Sequence, residues 1–329
     1  MEKPKARIIG LGKYLPKRVL TNGDLEALVD TSDEWITTRT GIKERRIAEK
    51  AECTSHMGTL AAKSALSDAN IALDAIDFIL VATITPDYVS NSTAALIQTQ
   101  LGLSNIAAFD LQVACSGFVY ALVTAKAFVE SGIYRNVLVV ASEKMSSFVD
   151  YTDRSTCILF GDGAAAAVVS SEGSGFTIGA SSLGADGKYS ELIYVPAGGA
   201  RNPVSQETVA SKLHYFKMQG QEVFKLAVRN MCQTAKVCMD QMGLSSQDIK
   251  WVVPHQANSR IMEAVCKGIQ IPESQMYKTI HKYGNTSASS IPIALQELIE
   301  EHPIALDEKI LLVAFGAGLA WGALILTKV

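Results

Sequence analysis

The chain has 329 residues, which suggests about two structural units at roughly 150 residues each. Hydrophobic residues make up 48% of it and charged residues 19%, so a large core can form and disorder is excluded. The net charge of −3 offers no electrostatic footprint for nucleic acid, and no apolar stretch reaches the ~20 uninterrupted residues of a membrane span.

Targeting and redox signals also fit a globular protein without a membrane span. The apolar run near the amino terminus is interrupted by Lys13 and is too short for a signal peptide. The six cysteines form no CxxC pair and have no metal-ligand spacing. Reduced thiols therefore fit better than a disulfide or zinc framework. We expect a soluble, cytoplasmic protein.

Strand-like and helix-like patterns alternate along the chain, which predicts an α/β protein with mostly buried sheets. The stretch 310–326 is expected to form two buried strands around a glycine turn. In the first half, strands are predicted over 6–12, 76–84, 107–112, 136–142 and 163–170, and helices over 55–69 and 116–132.

The second half repeats the spacing of the first. IDFILVA (76–82) corresponds to IKWVVPH (249–255), and RNVLVVA (135–141) corresponds to EKILLVA (308–314). Both pairs are related by the same shift of 173 residues, which indicates an internal duplication. We therefore expect two halves, 1–173 and 174–329, with the functional site between them.

Cys115 is the first candidate for chemistry. It follows a predicted strand and directly precedes the helix predicted over 116–132. A thiol at such a turn lies over the free N–H groups of the helix start, where the dipole stabilises a thiolate nucleophile. The alternative is a small buried core cysteine. The other five cysteines are expected to lack the helix-start position, and core packing suits Cys232, Cys238 and Cys266.

His255 and Asn285 are the candidates in the second half. His255 ends the predicted strand WVVP, at the edge where open α/β sheets place their sites. Ala82 holds the corresponding position in the first half, so the fold itself does not require a histidine there. Asn285 lies in YGNTSASS (283–290), which the duplication brings toward the cysteine. The alternatives are a structural hydrogen bond for His255 and a helix N-cap for Asn285.

Two glycine clusters are candidates for binding loops. GLGKYL (10–15) lacks the third glycine of a dinucleotide fingerprint and has no acidic residue on a second strand, so it is rejected. FGAGLAWG (315–322) is a glycine turn between two strands. It can supply half of an oxyanion hole through its N–H groups, or it can be only a tight hairpin.

Six motifs occur in the order and spacing of one enzyme family. They are TSDEWITTRTGIKERR (31–46), ACSGF (114–118), FGDGAAAAV (160–168), PHQAN (254–258), YGNTSASS (283–290) and AFGAGLAWG (314–322). Over essentially its full length the chain resembles β-ketoacyl-acyl-carrier-protein synthase III, the initiating condensing enzymes of type II fatty acid synthesis. The resemblance implies the thiolase fold, an internally duplicated five-layer αβαβα sandwich, and a homodimer.

The resemblance also implies roles for the candidates. Cys115 would take the acyl group from an acyl-CoA primer, expected to be acetyl-CoA, while its own N–H and that of Ala317 bind the oxyanion. His255 and Asn285 would hydrogen-bond the thioester oxygen of malonyl-acyl carrier protein and stabilise the charge left when carbon dioxide departs. The carbanion would attack the Cys115 thioester to give 3-ketoacyl-acyl carrier protein. No metal or redox cofactor is expected, since coenzyme A enters as a substrate thioester.

Substrate-binding positions carry over one at a time. Trp35 and Arg39 resemble residues that flank the adenine of coenzyme A, with Arg154 on its other side. Three further residues resemble the lining of the pantetheine tunnel, namely Gly220, Phe224 and Asn258. Taken without the family, Trp35 is an ordinary core aromatic, and the two arginines are solvated charges.

A basic patch is expected as well, because acyl carrier proteins are small and acidic. The resemblance points to Lys225, Arg260 and Lys267. The last two lie seven positions apart on a predicted helix, about two turns, so both should face the same side. Ordinary solvated charges are the alternative.

The chain departs from the family in two places. Ala317 stands within a segment where the family often has three glycines, and its β-carbon requires a permissive backbone conformation. TPDYVSNST (85–93) also differs from relatives in which a phenylalanine near Ser90 closes the partner subunit's acyl pocket. The sequence therefore leaves the chain length of the primer open.

Related enzymes of the same fold are the alternatives. Chain-extending ketosynthases use two histidines and a cysteine, whereas here Asn285 fills the second position. Hydroxymethylglutaryl-CoA synthases require a glutamate base, and no matching motif contains one. Thiolases require a second cysteine near the C-terminus, whereas the last one here is Cys266. A non-catalytic partner subunit would have lost a residue of the catalytic set, and all three are present.

Overall fold

A computed structural model describes residues 4–329. Its strands are β1 Arg7–Tyr14, β2 Arg18–Thr21, β3 Glu44–Ile47, β4 Phe78–Ala82, β5 Ala107–Leu111, β6 Asn136–Glu143, β7 Gly163–Ser170, β8 Phe176–Ala185, β9 Ile193–Tyr194, β10 Lys217–Met218, β11 Ile249–Pro254, β12 Lys309–Gly316 and β13 Ala320–Lys328. Its α-helices are α1 Asn22–Glu26, α2 Asp33–Thr40, α3 Thr54–Ala69, α4 Thr93–Leu101, α5 Gly117–Glu130, α6 Arg154–Cys157, α7 Gln206–Ala210, α8 Gly220–Gln241, α9 Ser259–Gly268, α10 Ile280–Tyr283 and α11 Ser290–Glu301.

Nine strands form one mixed sheet in the order β11-β12-β13-β8-β1-β7-β6-β4-β5. β4 is parallel to β5 and β6, and β11 is parallel to β12, while the strands nearer the centre run antiparallel. The two halves of the sheet meet where β1 and β8 pair over only two residue pairs. This short seam lets the halves diverge into separate layers.

The layers follow from which way the strand side chains point. In β6, Leu138 and Val140 belong to the core under α3 and α4, whereas Val139 belongs to the core around α5 and α11. In β12, Leu312 belongs to that same central core, whereas Val313 packs with α8 and α9. Helices thus lie outside both half-sheets and between them, which confirms the predicted five-layer sandwich.

Local structure repeats with the predicted shift. β6 at 136–143 and β12 at 309–316 are 173 residues apart, and so are the first residues of α5 and α11. Each of these helices follows a 3₁₀ turn, Ala114–Ser116 or Ser287–Ser289, whose first residue has a left-handed φ of 45° or 52°. The structure supports the duplication, while the boundary at residue 173 remains a prediction.

Most predicted element types are confirmed, with ends displaced by up to two residues. One difference concerns the segment after β5. The helix predicted over 116–132 begins as an α-helix at Gly117, because residue 116 still belongs to the 3₁₀ turn Ala114–Ser116. In the part of the chain that the structure describes, no helix combines the length and apolar character needed to cross a bilayer.

Candidate active site

A cavity of about 900 Å³ opens between the two halves. It runs from the exposed Arg39 and Arg260 to the buried His255 and Asn285. Most of the predicted site residues line it, namely Trp35, Arg39, Cys115, Gly220, Phe224, Lys225, His255, Asn258, Arg260, Asn285 and Ala317. Arg154 and Lys267 are not part of this lining.

Cys115 is held at a tight turn between β5 and α5. Ala114 before it adopts a φ of 45°, a conformation that is strained for a residue with a side chain and that turns the chain sharply. Ser116 after it donates a hydrogen bond to the Ala320 carbonyl at 2.9 Å, which ties the turn to β13. The thiol is half-buried and lies just before the start of α5.

Burial opposes ionisation of the Cys115 thiol. Burial raises the pKa of Cys115 to about 12, and the nearby Glu143 carboxyl adds to the rise, while a hydrogen bond with the Ser287 side chain opposes it. Desolvation thus opposes the stabilisation of a thiolate that is expected from the helix start. The proton must leave as the sulfur attacks.

A second cysteine also lies at a helix start, contrary to expectation. Cys53 is the residue that directly precedes α3, and its side chain is half-buried like that of Cys115. It does not line the cavity. The position at a helix start thus does not single out Cys115; its place in the cavity does.

The backbone of the β12–β13 turn lies against Cys115. A β-carbon on Gly316 would come within 2.7 Å of the Cys115 nitrogen, so only glycine permits this approach. Ala317 follows without a positive φ, whereas Gly318 has a φ of 129°. The alanine that departs from the family pattern therefore imposes no backbone strain, and its N–H remains beside the cavity.

His255 follows β11 and is a neutral hydrogen-bond donor. Its Nδ1 lies 2.7 Å from the Ser290 Oγ, and that oxygen also accepts the Gln256 N–H at 3.3 Å. The Ser290 hydroxyl can donate to Nδ1, and in that tautomer the ring proton is on Nε2. Burial lowers the pKa of His255 to about 3, so the imidazole is uncharged at neutral pH.

Asn285 is oriented by its neighbours. Its backbone N–H donates to the Leu159 carbonyl, and its carbonyl accepts from the Gly161 N–H. The side-chain oxygen accepts the Ser287 N–H at 2.8 Å, which leaves the side-chain NH₂ group as the donor. Asn285 is not the helix N-cap of the alternative interpretation, because Thr286 and Ser289 occupy the cap positions of the 3₁₀ turn and of α11. Its side-chain oxygen stabilises the turn, while its amide hydrogens remain available.

Three side chains form the outer part of the site. The guanidinium carbons of Arg39 and Arg154 lie 5.0 and 4.9 Å from the centre of the Trp35 ring. Both arginines are exposed, and Arg154 also donates to the Asp30 carbonyl at 2.8 Å. Arg154 does not line the cavity, but its guanidinium group packs on Trp35, which does. The arrangement offers an aromatic ring and two cations to a planar, anionic ligand.

The remaining predicted positions have structural roles as well. Asn258 caps α9 by accepting the Arg260 N–H at 2.9 Å, and its amide donates to the Arg39 carbonyl at 3.0 Å. Lys225 pairs with Glu222 at 2.9 Å on the exposed face of α8. Lys267 is exposed on α9 but outside the cavity, so the three predicted docking residues do not all border its mouth.

Sequence reasoning missed the residues that hold these groups. Ser290 contacts the His255 ring, the Ser287 N–H donates to the Asn285 side chain, and Glu143 accepts a hydrogen bond from the Ser287 hydroxyl. The two serines belong to YGNTSASS, a motif in which the sequence points only to the asparagine. The signal for Glu143 was an acidic residue ending an otherwise apolar strand.

Comparisons with known proteins agree over the whole chain. A family profile described as 3-oxoacyl-[acyl-carrier-protein (ACP)] synthase III matches residues 109–187, and one for the C-terminal part of the same family matches residues 239–328. The chain is 54% identical to β-ketoacyl-[acyl-carrier-protein] synthase III of Chlamydia pneumoniae, covering 99% of this chain and 97% of the relative. It is 52% identical to the enzyme of the same name from Caldanaerobacter subterraneus subsp. tengcongensis, covering 98% and 97%.

A solved structure shows the same likeness. The 3-oxoacyl-[acyl-carrier-protein] synthase III of Aquifex aeolicus VF5 superposes with a TM-score of 0.91 at 47% sequence identity. The match covers 98% of this chain and 100% of that one. Sequence and architecture therefore point to one family.

Proposed function

The chain belongs to the 3-oxoacyl-[acyl-carrier-protein] synthase III family, and from this premise we propose how its cavity carries out the reaction. The protein has the thiolase fold and is an acyl-transferring condensing enzyme of the initiating step of fatty acid synthesis. Membership sets aside the thiolase, hydroxymethylglutaryl-CoA synthase and chain-extending alternatives. The substrates and the role of each residue are proposals.

The first half-reaction is acyl transfer to Cys115. Its sulfur attacks the thioester carbonyl of an acyl-CoA primer, and the carbonyl oxygen becomes an oxyanion. The N–H groups of Cys115 and Ala317 are the proposed donors to that oxygen, and the close approach of Gly316 to the Cys115 nitrogen supports this. Collapse of the tetrahedral intermediate releases coenzyme A and leaves Cys115 acylated.

The second half-reaction is decarboxylative condensation. The thioester oxygen of malonyl-acyl carrier protein accepts hydrogen bonds from the His255 ring and the Asn285 amide. Loss of carbon dioxide moves negative charge onto that oxygen, and two neutral donors with fixed orientations stabilise it. The resulting carbanion attacks the Cys115 thioester to form 3-ketoacyl-acyl carrier protein. Because the charge is stabilised by hydrogen bonds, we expect no metal or redox cofactor.

Ligand recognition follows the shape of the cavity. Trp35, Arg39 and Arg154 would hold the nucleotide of coenzyme A, and Gly220, Phe224 and Asn258 would line the path of the pantetheine arm. Acetyl-CoA is the proposed primer. The proposed docking site of malonyl-acyl carrier protein is the exposed basic group Lys225, Arg260 and Lys267.

The proposed assembly is a homodimer. β5 ends the large sheet and leaves one of its edges unpaired in the chain, and Phe109 on it is 40% exposed. Tyr88 and Val89 are also exposed, at 59% and 96%. They lie close in sequence to Ser90, near which some relatives have the phenylalanine that closes the partner subunit's acyl pocket. Such apolar exposure supports a protein interface. Light scattering should give the mass of two chains; the mass of one chain would contradict this.

The observation that carries the proposal is that Cys115, His255 and Asn285 line one cavity, with the hydrogen-bonding partners of His255 and Asn285 already fixed. We expect incubation with acetyl-CoA to add one acyl group to Cys115, seen by intact-mass and peptide mass spectrometry. Cys115→Ala should abolish this acylation and the condensation. A panel of acyl-CoAs in the same assay reports the preferred primer.

Cys53→Ala is the matched control, since Cys53 is also half-buried at a helix start but outside the cavity. It should acylate like the unaltered protein. Acyl groups spread over several cysteines, with activity retained in Cys115→Ala, would contradict the assignment.

A further inference from the structure

A buried carboxyl group of the first half lies against a turn of the second half. Glu143, the last residue of β6, is fully buried. Its Oε1 accepts the Ser287 hydroxyl at 3.0 Å, and its Oε2 accepts the hydroxyls of Thr83 and Thr85 at 3.0 and 2.7 Å. The Ile84 N–H lies between the two oxygens, 3.3 Å from Oε1 and 3.1 Å from Oε2. Both oxygens are therefore satisfied, and one of these hydrogen bonds joins the two halves.

The carboxyl group is fixed within its own half. Residues 83–85 follow β4, which pairs with β6 in parallel, so three of the donors come from the end of the neighbouring strand. The Thr85 hydroxyl also accepts the Lys144 N–H at 2.9 Å, and the Thr83 hydroxyl accepts the Thr85 N–H at 3.1 Å. This closed set of hydrogen bonds leaves the carboxyl group little freedom to move. It is a fixed point in the half that also carries Cys115.

Ser287 connects this fixed point with Asn285. Its hydroxyl donates to Glu143, and its backbone N–H donates to the Asn285 side-chain oxygen at 2.8 Å. Ser287 has a φ of 52°, a left-handed conformation that is strained for a residue with a side chain. Such a conformation persists only where its surroundings hold it, and the hydrogen bond to Glu143 is one such restraint. The direction of the Ser287 N–H, and with it that of the Asn285 amide, therefore depends on Glu143.

His255 is supported by a different contact. Its Nδ1 lies 2.7 Å from the hydroxyl of Ser290, which already belongs to α11. Glu143 thus reaches Asn285 by way of a single residue, whereas the His255 contact involves another side chain and another element. A change at Glu143 should therefore act on one of the two proposed donors.

We propose that Glu143 is a positioning residue for the decarboxylation donor Asn285 and acts on it through Ser287. The proposal rests on the proposed function, because it deepens the part given there to Asn285. It gives Glu143 no contact with the substrate and no proton transfer. A positioning residue matters because a displacement of about 1 Å in a reacting or stabilising group can cost about 10²-fold in rate.

Two substitutions of Glu143 separate its geometry from its charge. In Glu143→Gln the side-chain oxygen can replace Oε1 and accept from Ser287 and Ile84. Its amide can donate to the two threonine hydroxyls, because a hydroxyl oxygen accepts two hydrogen bonds. Glu143→Met has a similar length but no oxygen, so Ser287 loses its restraint. Only the second variant should displace Asn285.

The two half-reactions are measured separately in Glu143→Met, Glu143→Gln and Ser287→Ala. Carbon dioxide release from malonyl-acyl carrier protein should fall by about 10- to 10²-fold in Glu143→Met and Ser287→Ala. It should stay close to the original rate in Glu143→Gln. Acylation of Cys115 by acetyl-CoA, followed by intact mass, should change less, since it uses other N–H groups. Ser287→Ala removes a single hydroxyl and decides the matter if Glu143→Met does not fold.

The same substitutions in an Asn285→Ala background distinguish positioning from a general structural role. There Glu143→Met and Ser287→Ala should lower decarboxylation almost no further, because the group that they position is gone. A general loss of structure would lower the rate in both backgrounds. Ser142→Ala is the matched control, since the buried Ser142 hydroxyl, also on β6, donates to the Thr54 carbonyl at 2.7 Å instead. It should leave decarboxylation near its original rate.

Crystal structures of the variants give a readout that does not depend on activity. The Asn285 side chain should leave the Ser287 N–H in Glu143→Met and Ser287→Ala, or occupy several rotamers, and should keep its place in Glu143→Gln. An unmoved Asn285 in the first two variants would refute the positioning role. So would a rate in Glu143→Gln as low as that of Glu143→Met, or normal decarboxylation in Glu143→Met and Ser287→Ala beside an impaired Asn285→Ala. If Asn285 moves as expected but Asn285→Ala decarboxylates normally, the proposed function of Asn285 fails, while its positioning by Glu143 stands.

Discussion

Burial decides the protonation states of the two side chains on which the proposed chemistry depends. The Cys115 thiol has its pKa raised to about 12, and the His255 imidazole has its pKa lowered to about 3. Both groups are therefore neutral at pH 7. A neutral histidine can donate a hydrogen bond to a developing oxyanion without adding a buried charge. A neutral thiol, in contrast, requires a proton acceptor.

At the same scale we predict a division of labour between the half-reactions. His255→Ala and Asn285→Ala should each lower the decarboxylation of malonyl-acyl carrier protein by about 10²-fold or more, because single oxyanion donors are worth about 10²–10³ in rate. Acylation of Cys115 should survive in part, since it uses other N–H groups. Carbon dioxide release and intact mass report the two steps.

His281→Ala is a suitable control, because His281 is outside the cavity. It should leave both steps near their original rates. Normal decarboxylation in the His255 and Asn285 variants, together with loss of acylation, would reverse the assigned roles.

Glu143 also predicts a pH dependence of stability. Its pKa is about 7 in the folded protein, above the ordinary 4.5, so the folded state binds more protons between these values. Stability from this group is present below pH 4.5 and is lost as pH rises through 7. Glu143→Gln lacks this loss. Its unfolding free energy relative to the unaltered protein should rise by about 3 kcal/mol from pH 4.5 to 8.

Urea denaturation at several pH values measures this difference. A difference that stays constant across the range would mean that Glu143 has an ordinary pKa in the folded protein. Because the measurement involves no substrate, it is independent of the proposed reaction.

Between elements, the decisive contact is that of the β12–β13 turn with the turn that carries Cys115. Ser116 bonds the Ala320 carbonyl, and Gly316 lies against the Cys115 backbone. Two loops far apart in the chain thus share one small volume. Their separation sets the distance between the two N–H groups proposed for the oxyanion.

We therefore predict that Gly316→Ala disrupts acyl transfer. The added methyl group would lie 2.7 Å from the Cys115 nitrogen, so the two turns must move apart. The unfolding free energy should fall by about 1–3 kcal/mol, as for other overpacked sites. Acylation of Cys115 should slow by about 10²-fold, because one oxyanion donor is displaced. Thermal unfolding and single-turnover mass spectrometry measure these effects.

Gly187→Ala provides the control, since a β-carbon at Gly187 meets nothing within 4 Å and its φ is not positive. It should change neither quantity appreciably. Unchanged acylation in Gly316→Ala would show that the turn does not position a donor.

Across the whole molecule, the cavity lies where the two halves meet, and its mouth is bordered by basic residues of the second half. Arg260 and Lys225 line it, while Lys267 lies further along α9. With a net charge of −3, the protein has no general attraction for an acidic partner, so any attraction must be local.

Arg260→Glu should raise the Michaelis constant for malonyl-acyl carrier protein and affect the acyl-CoA half-reaction less. Added salt should mimic the substitution, because the Debye length falls from about 10 Å at 0.1 M to about 3 Å at 1 M. Steady-state kinetics with each substrate varied measures both effects.

Lys63→Glu makes the same change of charge at an exposed position on α3, outside the cavity, and should have little effect. Equal damage to both half-reactions by Arg260→Glu, or no salt dependence in the unaltered protein, would remove the case for docking here.

The sequence by itself determined the order of elements, the duplication and the principal site residues. Continuous apolar runs predicted β6 and β12, because a strand that is buried on both faces has apolar side chains at successive positions. The equal shift of 173 residues was visible because a duplicated fold repeats its apolar spacing. Cys115, His255 and Asn285 could be singled out because each follows or begins an element whose position the sequence already predicted.

Only the tertiary structure decided which residues support Cys115, His255 and Asn285, and which protonation states the buried groups have. Ser287 and Glu143 are 144 residues apart and lie in different halves, and nothing local in the sequence joins them. Cys53 shares the helix start of Cys115 but not its cavity. The protonation states of Cys115 and Glu143 depend on desolvation, which arises only when distant segments exclude water around them.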